Sequence, residues 1–142
     1  MASEGILFAV VTAVSFAVWT VFHQQASAHV NPVFGALVVS TTAAILAAIV
    51  LVMQMKGQPL VTDQRGIIFV LLAGIAAFAI DFFALRTYAS GLPISIGGPV
   101  IIGGSVLIAA VIGLVVLGES ISVMKIVGIA LVVAGAGILA SL

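Results

Sequence analysis

Asp81 is the side chain in this sequence with the clearest capacity for chemistry. It lies inside a long apolar stretch, roughly 10 Å from the Tyr88 end at the rise of an α-helix. A carboxylate at the centre of a membrane helix costs about 2.5–3.5 kcal/mol on insertion scales, so such residues usually face a protein interior or a cavity. Phe78 and Tyr88 share its helix face. This arrangement predicts a carboxylate between two aromatic rings, which suits a cationic solute or a proton relay.

A structural role for Asp81 is the alternative. The carboxylate could pair with Arg86 or accept a hydrogen bond from a backbone amide near the membrane surface. Arg86 lies five positions further on, about 140° around the helix, which makes a pair within the helix awkward. Both roles stay open on sequence alone.

A stripe of hydroxyl and aromatic side chains follows one face of the first apolar stretch. Its members Thr12, Ser15 and Trp19, flanked by Phe8 and Phe22, recur at helical spacing. Such a face could line a substrate path. Alternatively, the hydroxyls bond to their own backbone and Trp19 belongs to the aromatic belt at the membrane surface.

Gly98 and Pro99 mark a third candidate site in the fourth apolar stretch, where two glycine pairs flank a proline. Proline removes a backbone hydrogen bond and clashes with the preceding turn, so the pattern predicts a broken or kinked helix. Transport proteins place such helices at their binding sites. The alternative is close helix packing through small residues.

Chemistry of other kinds is not indicated. His23 and His29 follow the first apolar stretch without the carboxylate spacing of a metal site, and we expect both in a solvated loop. The sequence has no cysteine, no phosphate-binding loop and no nucleophile–base–acid set. It therefore predicts no enzyme, no metal and no cofactor.

Composition explains what must hold these residues in place. The chain has 142 residues, 64% of them apolar, with 6% charged, a formal net charge of zero and a mean hydropathy of +1.50. Soluble domains carry roughly 25% charged residues. The composition predicts an integral membrane protein and excludes a soluble enzyme. The four scattered cations also exclude a nucleic-acid-binding patch.

Five apolar stretches are long enough to cross a hydrocarbon core of about 30 Å as helices. The predicted fold class is an all-α integral membrane protein, a compact bundle of five transmembrane helices forming one domain over residues 1–142. Polar or turn-forming segments separate the stretches, among them Asn31-Pro32, Lys56–Pro59 and Gly91–Pro93. The predicted helices cover residues 5–22, 33–55, 66–88, 94–117 and 123–142.

The basic residues predict an orientation in the membrane. Lys56, Arg65 and Lys125 fall on the side of the N-terminus, and Arg86 falls on the other side. The positive-inside rule then places the N-terminus in the cytoplasm.

Several motifs resemble the EamA-like domains of the drug/metabolite transporter superfamily. The run Leu117–Ser122 followed by the glycine-spaced helix Lys125–Gly135 is similar to the closing motif of these domains, a short LGE turn before a helix. Tyr88–Pro93 resembles the turn between their third and fourth helices, and Val30–Pro32 resembles the entry to their second helix. The resemblance extends over nearly the whole chain.

The resemblance implies a secondary transporter of small metabolites in the inner (cytoplasmic) membrane that works by alternating access. It implies one half of a ten-helix fold, with helices one to four lining the path and helix five packing against them. Three positions depart from the pattern. Phe16-Ala17 occupies the place of a Trp-Gly pair that is common in the family. His23–Gln25 occupies the place of basic residues, and Asp81 that of an apolar or aromatic residue. The role of Asp81 therefore comes from the physical argument alone.

A single five-helix half predicts a homodimer. Because five is odd, a fused second copy would be inverted, so an antiparallel pair would mimic the two-half proteins; a parallel dimer stays open. The predicted function is an exporter or exchanger of a small organic solute. The alternative is a non-transporting membrane subunit that packs against a partner membrane protein.

Overall fold

The computed structural model describes residues 2–54, 60–61 and 63–142. Within these ranges the chain forms five α-helices and no strand. All five are long and apolar enough to cross a membrane, which confirms the predicted all-α membrane fold. The predicted helix end at Met55 and the predicted break at Lys56–Pro59 lie outside the described residues. The helices are α1 (Ala2–Ser27), α2 (Pro32–Gln54), α3 (Gln64–Ala89), α4 (Ile94–Val115) and α5 (Val123–Ala140).

Polar caps fix where three of these helices begin. Asn31 Oδ1 accepts a 2.9 Å hydrogen bond from the amide of Val33 at the start of α2. Asp63 accepts one from the Arg65 amide at 2.9 Å, and Ser122 accepts one from the Lys125 amide at 3.2 Å. Each cap satisfies an amide that has no partner inside its helix.

The end of α1 differs from the sequence-based expectation. The helix continues to Ser27, five residues past the predicted end at Phe22. His23 is therefore a helical residue with 4% of its surface exposed, and its expected place in a solvated loop is wrong. His, Gln and Ala are all tolerated inside helices, so a polar run without Gly or Pro does not end one. His29 lies in the turn after α1 and is exposed, as expected.

The first three helices form one compact unit that ends at Ser90. Helix α3 packs against both α1 and α2, and its buried residues Ala84, Leu85 and Tyr88 form the core with Ala36 of α2. Gly35 allows this approach, because a Cβ atom there would lie 2.6 Å from Leu85 Cδ1.

Helices α4 and α5 form the second unit, Gly91–Leu142. Gly103 faces Ala136 so closely that a Cβ atom at Gly103 would overlap it. Helix α4 continues without interruption through Pro99, so the predicted break in this helix does not occur. Pro99 lies in the second turn, where it removes the amide that would bond to the Ser95 carbonyl without ending the helix.

The turn after α4, which carries the LGE motif, contains a glycine in a left-handed conformation. Gly118 has φ +66°, a left-handed conformation that glycine adopts without steric penalty. The Glu119 amide then donates a 2.9 Å hydrogen bond to the Gly113 carbonyl, and Lys125 Nζ donates to the Ser120 carbonyl at 2.9 Å.

Large apolar side chains are exposed along every helix. Helices that are apolar on all sides are typical of membrane spans, where lipid or a partner helix covers them. Polar side chains that are buried inside such a protein are therefore the informative ones.

Candidate functional site

Asp81 is a residue of α3 whose side chain contacts α1, and 7% of its surface is exposed. Trp19 Nε1 of α1 donates a hydrogen bond to Asp81 Oδ1 at 3.0 Å. Both residues are candidate site residues predicted from the sequence, on two separate helices. The packing of α1 on α3 brings them together. A buried carboxylate is costly without such a donor.

His23 adds a second contact to the same oxygen. Its Nε2 atom lies 3.2 Å from Asp81 Oδ1, and its ring lies 3.9 Å from the Trp19 ring, centroid to centroid. His23 comes one helical turn after Trp19 and continues the stripe formed by Thr12, Ser15 and Trp19. That spacing could have identified His23 from the sequence if α1 had been extended to Ser27.

The hydrogen bonding of His23 is unequal at its two ring nitrogens. Nδ1 lies 3.0 Å from the carbonyl oxygen of Trp19. Nε2 is buried and lies 3.2 Å from Asp81 Oδ1, but it makes no well-aligned hydrogen bond. Asp81 Oδ1 thus receives both contacts, and Oδ2 takes part in neither.

A wide, largely open recess of about 480 Å³, here called the carboxylate cavity, lies beside Asp81. Its polar lining comes from Thr12, Ser15, Trp19 and Asp81, four of the predicted site residues. The lining residues are Thr12, Ser15, Phe16, Trp19, Val39, Ala43, Ala77, Ile80 and Asp81.

The two hydroxyl groups of this cavity donate their hydrogen bonds within α1. Thr12 donates to the Phe8 carbonyl at 2.8 Å and Ser15 donates to the Val11 carbonyl at 2.9 Å. The alternative prediction, that these hydroxyls bond to the backbone of their own helix, is therefore confirmed for both. Their oxygen atoms still have free lone pairs, so towards a ligand both groups act as acceptors.

A second cavity of about 300 Å³, here called the apolar cavity, lies against Trp19, Phe22, His23 and Leu85. Trp19 and Val39 line both cavities. Trp19 therefore borders both the space that reaches Asp81 and the space that reaches His23.

Arg86 does not supply the counter-charge for Asp81. It is exposed, and its guanidinium carbon lies 5.6 Å from the centre of the Phe82 ring, in a cation–π contact on its own helix. The partners of Asp81 come from α1 instead.

The remaining predicted site residues lie elsewhere. Phe78 is 45% exposed and stacks with Phe82 at 6.2 Å, outside the linings of the two cavities. Tyr88 is buried, and its hydroxyl group has no hydrogen-bond partner. Gly98 is buried and Pro99 half-buried, both within the second unit.

The polar groups around the carboxylate cavity do not form a set of metal ligands. Among the residues that the structure describes, no three His, Cys, Asp or Glu side chains form a group that could hold a metal ion. One carboxylate, two hydroxyl oxygens and two aromatic rings around a cavity are typical of a small-molecule site.

Comparison with known protein families gave one match. The model of a family described as EamA-like transporter family matches residues 3–141. Neither the curated proteins nor the solved structures gave a match to the chain.

Proposed function

This chain belongs to the EamA-like transporter family, and we propose that it is a secondary transporter that moves a small organic solute by alternating access. Its five apolar helices make it a multi-pass membrane protein. Membership in a transporter family also favours transport over catalysis.

The observation that carries this proposal is the buried carboxylate of Asp81 beside the carboxylate cavity. Charged residues inside membrane helices usually mark ion or substrate paths. In this proposal Asp81 meets a cationic group of the solute or carries the coupling proton. Trp19 fixes the carboxylate, and Thr12 and Ser15 offer hydroxyl oxygens to polar groups of the solute.

Four further residues keep the role that the sequence predicted for them as part of the proposal. Phe78 and Tyr88 would contact the solute or control its access from α3. Gly98 and Pro99 would serve the path from α4, where small residues and a proline reduce the bulk of the helix.

We also propose the functional unit and its setting. Residues 1–142 act as a single EamA-like domain, and two copies pair to enclose the path. The protein works as an exporter or exchanger in the inner membrane, with the N-terminus in the cytoplasm.

Reconstitution into proteoliposomes tests the transport proposal. Purified protein should give solute-dependent flux for at least one member of a panel of small amines, amino acids and neutral metabolites. The same solute should raise the thermal stability of the protein, because a ligand that binds only the folded state stabilises it.

Asp81→Asn should abolish that flux. The matched variant Asp63→Asn should retain it, because Asp63 caps the start of α3 and asparagine also caps helices. Equal flux and pH response in both variants would remove Asp81 from the mechanism. Absence of flux with a fixed membrane-protein partner in every preparation would favour the non-transporting subunit.

A further inference from the structure

We infer that the apolar cavity of the first unit binds one acyl chain of a membrane phospholipid. This inference goes beyond the proposed function and does not depend on it, because the proposed solute site is the carboxylate cavity. The argument concerns the chemistry of the lining, its depth in the membrane, its opening and its size.

The side chains that line the apolar cavity offer no free polar group to a ligand. Apart from Trp19 and His23, the lining residues are Phe, Ala, Val, Gly and Leu. The Trp19 indole donates its hydrogen bond to Asp81, and His23 Nδ1 lies 3.0 Å from the Trp19 carbonyl oxygen. His23 Nε2 is buried 3.2 Å from Asp81 Oδ1. The occupant of this cavity must therefore be apolar.

Water does not meet this requirement. A buried water molecule needs about two to four polar partners, and apolar cavities that lack them stay dry and bind hydrocarbons. An unfilled cavity also leaves the atoms of its lining without dispersion contacts on one side. A hydrocarbon that fills the roughly 300 Å³ of the apolar cavity supplies those contacts.

The apolar cavity lies at one end of the first unit. Ala26 is next to the last residue of α1, Val30 lies in the turn before α2, and Leu85 lies one turn before the end of α3. Trp19 is the deepest lining residue on α1, seven residues before Ala26, which is about 10 Å along the helix. One leaflet of a bilayer contributes about 15 Å of hydrocarbon. The cavity therefore lies within one leaflet, at the depth of the upper part of its acyl chains.

The cavity also opens towards the lipid. Phe22 and Phe34 both line it, and they are 67% and 58% exposed. Exposed apolar side chains on membrane helices face lipid or a partner helix. An acyl chain of the surrounding leaflet can therefore enter from the side without crossing water.

The size of the cavity favours an acyl chain over a helix from a second copy. An α-helix with its side chains is about 10–12 Å across, so one turn occupies about 400–600 Å³. The apolar cavity measures about 300 Å³ and is enclosed by three helices, α1, α2 and α3. A helix could enter only if these helices moved apart, whereas a single hydrocarbon chain fits between them.

The bound chain contacts the residue that holds the carboxylate. Trp19 borders both cavities and donates to Asp81. Its ring stacks on Phe16 and lies 3.9 Å from the His23 ring, centroid to centroid. The acyl chain packs against this aromatic group from the apolar cavity and limits its movement.

Fluorescence of Trp19, the one tryptophan of the chain, tests the inference. The full chain is purified in detergent without lipid, and a phosphatidylcholine with brominated acyl chains is then added. Bromine quenches tryptophan only at close range, so a chain in the apolar cavity should quench most of the Trp19 emission. The quenching should saturate at a single bound lipid per chain.

A matched pair of alanine variants shows whether the apolar cavity is the site. Ala26→Phe places a ring in the cavity and should reduce the quenching several-fold. Ala28→Phe makes the same change two residues later, at an exposed position of the turn outside the lining, and should quench like the unchanged chain. Helical circular dichroism confirms that both variants fold.

Native mass spectrometry counts the lipid independently. The unchanged chain, taken from cell membranes in mild detergent, should retain one phospholipid, and Ala26→Phe should retain none. An unchanged chain that retains no phospholipid would overturn the inference, whatever the fold of the variant.

The other possible occupants give different results. Quenching that does not saturate, or that is equal in the two variants, would overturn the inference and indicate lipid on the outer surface alone. Quenching of the monomer that is absent in a dimer would overturn it in favour of a second copy. Loss of quenching on addition of a transported solute would overturn it in favour of an apolar part of that solute. Saturable quenching without flux in proteoliposomes would support the lipid site and count against the transporter function alone.

Discussion

At the scale of single residues, Asp81 depends on a donor from a neighbouring helix. Trp19 Nε1 reaches its carboxylate at 3.0 Å across the α1–α3 contact. Hydrogen bonds to charged groups contribute about 1.5–3 kcal/mol, and more is lost when the charged group stays buried. The indole therefore contributes to stability as well as to the geometry of the site.

Trp19→Phe tests this contribution, since phenylalanine keeps an aromatic ring and loses the N–H group. We expect a loss of about 1.5–3 kcal/mol in the free energy of unfolding, measured by denaturant titration in detergent. The matched variant Thr87→Val removes a hydroxyl that bonds only within its own helix, to the Phe83 carbonyl, and should change stability by less than about 0.5 kcal/mol. Equal effects of the two variants would contradict a stabilising role for the indole donor.

The side chain of Tyr88, unlike that of Trp19, makes no hydrogen bond. Its hydroxyl group is buried and has no partner, so Tyr88→Phe removes a polar group without breaking a hydrogen bond. We expect unfolding stability to stay equal or to increase by up to about 1 kcal/mol. A clear loss of stability would show that the hydroxyl has a partner in the membrane.

The sequence identified Asp81 and the stripe of Thr12, Ser15 and Trp19 because a charge and hydroxyls stand out in apolar helices. It missed His23 because the polar run after Phe22 indicates a loop, whereas α1 continues through this run, which contains no glycine or proline. The contact of Asp81 with α1 rather than with Arg86 depends on how α1 packs on α3, which the spacing within one helix does not determine.

At the scale of helices, close approach depends on a few glycines. A Cβ atom at Gly35 would lie 2.6 Å from Leu85 Cδ1 and 3.1 Å from Val30 Cγ2. Leu85 is fully buried, so its side chain has little space to move. Gly35 is thus the point at which α2 fits against α3.

Gly35→Ala should lower the free energy of unfolding by about 1–3 kcal/mol through overpacking. Gly74→Ala is the matched control, since no atom lies within 4 Å of a Cβ there. It should leave stability equal or improve it by up to about 1 kcal/mol, because alanine favours helix. A neutral Gly35→Ala variant would contradict the described packing of α2 on α3.

The turn between α4 and α5 depends on the backbone conformation of a glycine rather than on the space around it. Gly118 has φ +66° with nothing within 4 Å of a Cβ position, so Gly118→Ala should cost about 1–2 kcal/mol through backbone strain alone. Gly128→Ala, at a glycine inside α5 with open space around it, should cost nothing. Thermal unfolding of both variants measures the difference, and equal values would contradict the left-handed turn.

Helix beginnings could be predicted better than helix ends. Asn31, Asp63 and Ser122 cap their helices through local hydrogen bonds that depend on neighbouring residues alone. The continuous course of α4 through Pro99 could not be predicted, because tolerance of a proline inside a membrane helix depends on the groups that pack around it.

At the scale of the whole molecule, five consecutive membrane crossings predict that the turn at His29 and the turn at Ser120 lie on opposite sides of the membrane. The absence of cysteine in the sequence makes single-cysteine labelling possible without background.

His29→Cys should react with a membrane-impermeant maleimide from outside intact cells, and Ser120→Cys should react only after permeabilisation, if the N-terminus is cytoplasmic. Each variant labelled to about one half from either side would contradict a single orientation. That result would favour an antiparallel pair of copies.

The most direct measurement is uptake of radiolabelled tetraethylammonium into proteoliposomes with an acidic interior. A transporter in which Asp81 meets the cation and couples its movement to protons should accumulate the cation against its gradient as protons leave. Asp81→Asn should accumulate none, and Asp63→Asn should match the unchanged chain. Accumulation that is equal with and without the pH gradient, or equal in the two variants, would contradict the proposed role of Asp81 in transport.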